Sequence, residues 1–174
     1  MTFTLYNAVV PTFQQMLTAL IGLLDRAEAH CAEKGVAPEA LLQARLADDM
    51  WPFTAQVRIA CDQSRGGIEG VRKGVYSPNT APPPDTFAGL RAEVVNALNV
   101  LDAVKPEEVN GWIGRDMRFE FGERKMPFTA EDFLLSFSLP NFYFHVTTAY
   151  ALLRNNRVSI GKRDYLGPVR LKMP

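Results

Sequence analysis

The run from Phe137 to Tyr150, Phe-Ser-Leu-Pro-Asn-Phe-Tyr-Phe-His-Val-Thr-Thr-Ala-Tyr, constrains the architecture of this chain most. At about 100° per residue, Phe137, Asn141, Phe144, His145, Thr148 and Leu152 share one helical stripe. A second row, Phe142, Val146, Ala149 and Leu153, lies roughly 140° round. A helix that is apolar on two sides needs two covers: its own bundle, and either the C-terminal tail or a second copy of the chain. Burying Asn141, His145 and Thr148 is unfavourable unless each finds a partner. The stripe is therefore either a satisfied polar network or the wall of a site.

Three further segments repeat at helical spacing. Phe13, Met16, Leu17, Leu20, Leu24, Ala27 and Cys31 predict a helix over Val10 to Glu33, with Pro11 in its first turn and Gly35 as its C-cap. A linker follows, with a short turn of helix at Glu39 to Leu42. The second long helix opens at Asp48-Asp49-Met50-Trp51-Pro52, with an aspartate N-cap and proline in the first turn. Met50, Phe53, Val57, Ala60, Ser64, Ile68 and Val71 share its face. Gly66-Gly67 inside it costs about 1 kcal/mol per glycine relative to alanine, which a close-packed neighbour would justify. The proline-rich stretch Ser77 to Asp85 predicts a long extended connection without helix or ladder. Thr86 to Val104 is the third helix.

Apolar and polar residues then alternate in Met117-Arg118-Phe119-Glu120-Phe121. The turn Gly122 to Lys125 and the return Met126-Pro127-Phe128 predict a small β-hairpin. Thr129 caps the fourth helix, Pro140 is expected to kink it, and it ends near Asn155-Asn156. The tail Ile160 to Gly167 turns back over the bundle. The expected fold is all-α, a four-helix bundle with a β-hairpin insert before the last helix, as one domain over residues 1–174.

Nineteen basic residues balance nineteen acidic ones, so no field of one sign draws the chain onto nucleic acid or anionic lipid. Neither partner is expected. Cys31 and Cys61 are the only cysteines, both inside apolar helical patterns, which excludes a disulfide framework and a CxxC metal motif. The N-terminal residues do not read as a signal peptide, and no apolar run approaches the roughly 20 residues of a bilayer span. A cytoplasmic protein is expected.

Three blocks carry a family resemblance: Ala44 to Pro52 with Gln56 and Asp62, Leu139 to Arg154, and Gly161 to Gly167. Together they resemble an uncharacterised, domain-of-unknown-function family of the DinB/YfiT-like superfamily, over nearly the whole chain. The resemblance implies a DinB-like bundle of up-down-down-up type, usually a homodimer. It also implies a divalent-metal site in relatives, made by one histidine of the second helix and an HxxxH pair on the fourth, which some relatives use to transfer small thiols onto electrophiles. Here the pair reads Asn141-x-x-x-His145, and the second helix has no histidine.

His145 and His30 are the only imidazoles, so a three-histidine site cannot form within one chain. His30 reads as a histidine stabilised by the helix dipole at the end of the first helix. Asp49, Gln56 and Gln63 recur at steps of seven and can turn towards the fourth helix. Asp49 also reads as an N-cap and the glutamines as solvated. Asp62 lies opposite the apolar face and suits a salt bridge to an arginine. Arg45 beside Asp48 and Asp49 suggests a local ion-pair network. Gly161-Lys162-Arg163 lacks the setting of a phosphate loop, with Arg163 and Asp164 better suited to pairing with charges on the bundle. Ser136 and Ser138 carry no nucleophile motif.

The leading reading is a small-molecule binder with an inter-helix pocket lined by His145, Asn141, Thr148, Gln56 and Asp49, and with a degenerate metal site. One alternative is a metal-dependent transferase acting on a small thiol or electrophile, in which His145 and Asp or Gln side chains of the second helix hold the ion and bound water or thiolate reacts. Another is a non-catalytic homodimeric interaction module whose polar stripe fixes helix register.

Overall fold

The computed structural model describes residues 3–172. The chain is mostly helical, with one small three-stranded sheet. Helix α1 (Leu5–Lys34) opens on Thr4, whose hydroxyl accepts the Asn7 N–H, and closes on Gly35 in the left-handed region at φ 64°. It therefore starts a turn and a half before the expected Val10, and Pro11 lies inside the helix rather than in its first turn. By length and composition α1 is the one helix among the described residues that could cross a membrane, contrary to the sequence expectation. Its apolar face instead packs inward, with Phe13, Leu17, Leu20, Leu23 and Leu24 fully buried.

A short α2 (Pro38–Leu42) leads to α3 (Phe53–Cys61), a π-helical turn (Asp62–Gly66) and α4 (Gly67–Lys73), which follow without a break. The N-cap of α3 is Pro52, with no side-chain cap, so the expected aspartate cap is absent. Asp48 and Asp49 are exposed in the preceding turn. Phe53, Val57, Ala60, Ser64, Ile68 and Val71 are buried on one continuous face, as their spacing predicts. Gly67 explains its own presence: a Cβ there would lie 2.7 Å from Ser138 Oγ, which itself donates to the Gln63 carbonyl at 2.5 Å. The Ser138 side chain thus lies directly against the Gly67 backbone at that point.

The sheet has the order β1-β2-β3. β2 (Asp116–Phe121) and β3 (Arg124–Thr129) pair antiparallel across Gly122-Glu123, with Met117 opposite Phe128. The unexpected strand is β1 (Val75–Tyr76), which runs parallel to β2 and sets Tyr76 opposite Phe119. Two residues give too short a run for alternation to be visible. Helix α5 (Phe87–Asp102) is capped by Thr86 and is followed by α6 (Pro106–Asn110). After β3 come α7 (Ala130–Asp132), a π-helical segment (Phe133–Ser138), α8 (Leu139–Asn155) and the tail helix α9 (Lys162–Leu166). Helix α1 packs on α5 and α8, and α3 packs on the same two.

The last helix buries most of its expected stripe: His145, Thr148 and Leu152 are buried, and Phe137 packs into an aromatic cluster, 5.4 Å from Phe133 and 5.0 Å from Phe119 between ring centroids. The second row is buried as well, and Phe144 is the member of the stripe that turns outward. Phe142, Val146, Ala149 and Leu153 are at most 1% exposed, whereas Phe144 is 55% exposed. The row expected to need a second cover is thus the row that faces the chain's own core. Pro140 sits in the first turn of α8, directly after the π segment. There its missing N–H removes one helical bond, and the irregularity is absorbed just upstream. The tail does reach α8: Tyr165 lies 5.5 Å from Tyr150 and its hydroxyl is 2.9 Å from Thr147 Oγ1.

Candidate functional site

The α3–α8 contact places Gln56 against His145. His145 Nδ1 lies 2.6 Å from Gln56 Oε1, and Gln56 Nε2 donates to the Trp51 carbonyl at 3.0 Å. These two bonds assign the imidazole tautomer. The Trp51 carbonyl demands a donor, so the amide nitrogen faces it and the amide oxygen faces the ring. An amide oxygen only accepts, so Nδ1 carries the proton and Nε2 is left with a lone pair. No hydrogen bond reaches Nε2 among the described residues. Burial, aided by the positive charge of Arg58, pulls the His145 pKa down to about 4, so the ring is neutral at physiological pH.

The other expected members of the stripe turn away from the ring. Asn141 is half-buried and donates to the Phe137 carbonyl at 2.7 Å, and Thr148 donates to the Phe144 carbonyl at 2.7 Å. Both bonds run four residues back along the chain, the local alternative open to short polar side chains in a helix. Asp49 stays exposed. Of the five residues that sequence reasoning assigned to a pocket, the fold brings Gln56 and His145 into contact and leaves Asn141, Thr148 and Asp49 without a bond to either. Beside the ring, Phe144 makes an edge contact at 5.2 Å.

The donor set around His145 does not suit the divalent metal implied by the superfamily. Its neighbour is an amide, and Asn141 Nδ2 and Thr148 Oγ1 are committed to carbonyls of their own helix. Among the described residues no group of three His, Cys, Asp or Glu side chains is placed to hold an ion. Cys61 is fully buried, its thiol pushed up to about 12 by burial and by the neighbouring Glu93. That leaves it an inert thiol rather than a nucleophile or ligand.

Several smaller expectations change. Among the described residues Asp62 forms no salt bridge; its Oδ2 accepts from the Tyr76 hydroxyl at 2.7 Å and the Asn79 N–H at 3.1 Å. Burial and the Asp62 carboxylate hold the Tyr76 phenol far above its ordinary range. Arg45 donates to the Met50 carbonyl instead of pairing with Asp48 or Asp49. Asp164 caps its own short helix by accepting the Gly161 N–H at 2.7 Å.

Sequence reasoning missed a cavity of about 360 Å³ between α3 and the proline-rich strap, lined by Trp51, Arg58, Asp62, Gln63 and Phe121 among others. The strap is tied down by α3, because Asn79 receives Arg58 on its carbonyl and gives its N–H to Asp62. The one available signal was Arg58 and Asp62, a single turn apart ahead of a segment that cannot make its own backbone bonds.

The model of a domain of unknown function, DUF1993, matches residues 5–166. The chain belongs to the DUF1993 family. A crystal structure titled as a DinB family member protein from Shewanella denitrificans is similar to this DUF1993 chain at 32% identity, covering 98% of this chain and 96% of that one with a TM-score of 0.82. Among curated proteins nothing matches it.

Proposed function

We propose that this DUF1993 protein is a single-domain, DinB-like up-down-down-up four-helix bundle with a β-hairpin insert, which binds a small molecule beside His145. The observation that carries the reading is the His145–Gln56–Trp51 chain, which supports an unprotonated Nε2 on a buried, neutral ring. Such a nitrogen accepts a hydrogen bond from a ligand hydroxyl, thiol or amide. Exposed Trp51 and Phe144 flank the chain and offer apolar surface to the rest of the ligand. Asn141 and Thr148 contribute shape rather than hydrogen bonds, and Asp49 stays at the loop edge. The metal site of the wider superfamily is degenerate in this reading, because the imidazole's hydrogen-bond partner is the Gln56 amide, not a second imidazole or a carboxylate.

Two buried free cysteines fit a reducing, cytoplasmic setting. A homodimer is part of the same proposal, supported by exposed Tyr143 and Phe144 on α8 and Leu135 just before it.

The test combines elemental analysis of protein purified without a metal-affinity tag with a fragment screen of phenols, alcohols and small thiols. The readout is the ring ¹⁵N resonances of His145. A fragment that shifts Nε2 saturably is the expected result. Near-stoichiometric zinc, nickel or manganese moves the assignment to the metal-dependent transferase. A metal-free protein whose His145 resonances no fragment moves overturns the binding site.

A further inference from the structure

We infer that the pocket between α4 and β1, headed by Asp62, is a binding site for a small primary amine in its ammonium form. It is a different place from the site beside His145, since none of His145, Gln56 and Trp51 lines it. It holds about 280 Å³, just under the roughly 300 Å³ at which drug-sized sites begin, and so suits a ligand of a few heavy atoms. Its floor is bare backbone. Gly66 and Gly70, one turn apart, carry no side chain into it: a Cβ at Gly66 would lie 2.7 Å from Asp62 Oδ1, and one at Gly70 2.7 Å from Tyr76 Cβ.

Asp62 decides the ligand's chemistry. Its side chain is buried, with 9% of the residue exposed, and its two oxygens differ. Oδ2 is taken by the Tyr76 hydroxyl and the Asn79 N–H. Oδ1 accepts no hydrogen bond and joins no ion pair among the described residues. Unlike the partnerless atoms of Thr54, Arg58 and Gln63, it is not sealed from the surface. It stands beside Gly66, which lines this pocket and not the cavity under the strap, so its free face opens here. A carboxylate oxygen withdrawn from water and left without a donor is unfavourable, and a cationic donor answers it best.

The rest of the wall agrees in sign. Glu69 lines the pocket and forms no ion pair among the described residues. Helical side chains lean towards the N-terminus, which carries its carboxylate back towards Gly66. Lys73 lines the outer end, about 16 Å along the helix axis from Asp62, and leaves Oδ1 unpaired. Two carboxylates against one ammonium make the pocket net negative.

The single free oxygen then narrows the cation. A guanidinium fork grips a carboxylate through both oxygens, and Oδ2 is occupied. A quaternary ammonium has no N–H to give. A primary ammonium carries three donors on a point charge, one for Asp62 Oδ1 and the others for Glu69 and the Ser77 hydroxyl at the edge of β1.

Titration of the full chain with n-propylammonium, its N,N,N-trimethyl analogue, n-propylguanidinium and propionate tests the assignment. It is followed by the backbone amide NMR signals of Gly66 and Gly70. Propylammonium is expected to shift both saturably. The trimethyl analogue and the guanidinium should bind about tenfold more weakly, the effect of a lost charge-assisted hydrogen bond, and propionate should not bind. Asp62→Asn keeps an oxygen for Tyr76 and Asn79 but turns an amide N–H₂ to the pocket, and should abolish the shift. Glu69→Gln should weaken binding about threefold. If Asp62→Asn does not fold, the four probes on the unaltered protein and Glu69→Gln decide. Absence of a saturable shift, equal or tighter binding by any of the other three probes, or unchanged propylammonium affinity in either variant would each overturn the assignment. So would a shift of the His145 ring signals with Gly66 and Gly70 silent, which places the amine at the other site.

Discussion

Replacing His145 by glutamine should flatten part of the protein's acid sensitivity, by an amount that follows from the α3–α8 contact. In the folded chain His145 is 9% exposed, and its pKa is pulled down to about 4 by burial and then by Arg58. In the unfolded chain it titrates near the ordinary imidazole value of 6.5. Above 6.5 both states hold the neutral ring and stability does not depend on it. Between 6.5 and 4 the unfolded chain takes up a proton that the folded chain refuses. Stability is therefore lost as pH falls through that window, at 1.36 kcal/mol per pH unit, about 3 kcal/mol in all. Glutamine cannot titrate, and its amide can still donate to Gln56 Oε1. Urea unfolding of both proteins, followed by circular dichroism from pH 7.5 to 4, gives the difference in stability at each pH. Carboxylates titrate alike in the two and cancel. The wild type should lose about 3 kcal/mol relative to His145→Gln across the window. A difference constant to within about 0.5 kcal/mol would refute a buried neutral imidazole.

Three other outcomes follow from single contacts. Gly67→Ala should destabilise by about 1–3 kcal/mol, despite alanine's better helix propensity, because its Cβ would meet Ser138 Oγ at 2.7 Å; denaturant unfolding showing a gain in stability would contradict that close approach. Cys61, fully buried with its thiol raised to about 12, should stay unreactive towards Ellman's reagent in the native protein and react once urea unfolds it; rapid native labelling at Cys61, located by peptide mapping, would contradict its placement. Light scattering at micromolar concentration should give a dimer mass, and Phe144→Asp should shift it to monomer. A monomeric wild type removes the homodimer.

The periodic faces were readable because they answer to one local rule. Phe53, Val57, Ala60, Ser64, Ile68 and Val71 are buried together, as helical spacing requires, and Gly35 closes α1 because only a residue tolerant of positive φ fits there. The pairing of β2 with β3 follows from alternation and the glycine turn. The meeting of Gln56 with His145 was half-legible: each lies on a flank of its own helix, but no spacing within one helix reports the register between two. The stripe on α8 was legible at His145, Thr148 and Leu152 and failed at Phe144, which is exposed. The π segment Phe133–Ser138 ahead of it was not legible, because nothing in its composition announces a departure from 3.6 residues per turn.

By itself, then, the chain's order of residues determined where the long helical segments lie and stop, and the hairpin between the third and the last of them. Those properties depend on neighbours within a few residues, where propensity, capping and alternation act. Only the tertiary structure decided which way His145 holds its proton, that Asp62 serves Tyr76 and Asn79 instead of an arginine, and that Arg58 and Gln63 share a cavity wall. Each depends on partners brought together across many residues, Gln56 to His145 spanning 89 positions. Hydrogen-bond direction and burial are set by those distant partners, and no local pattern encodes them.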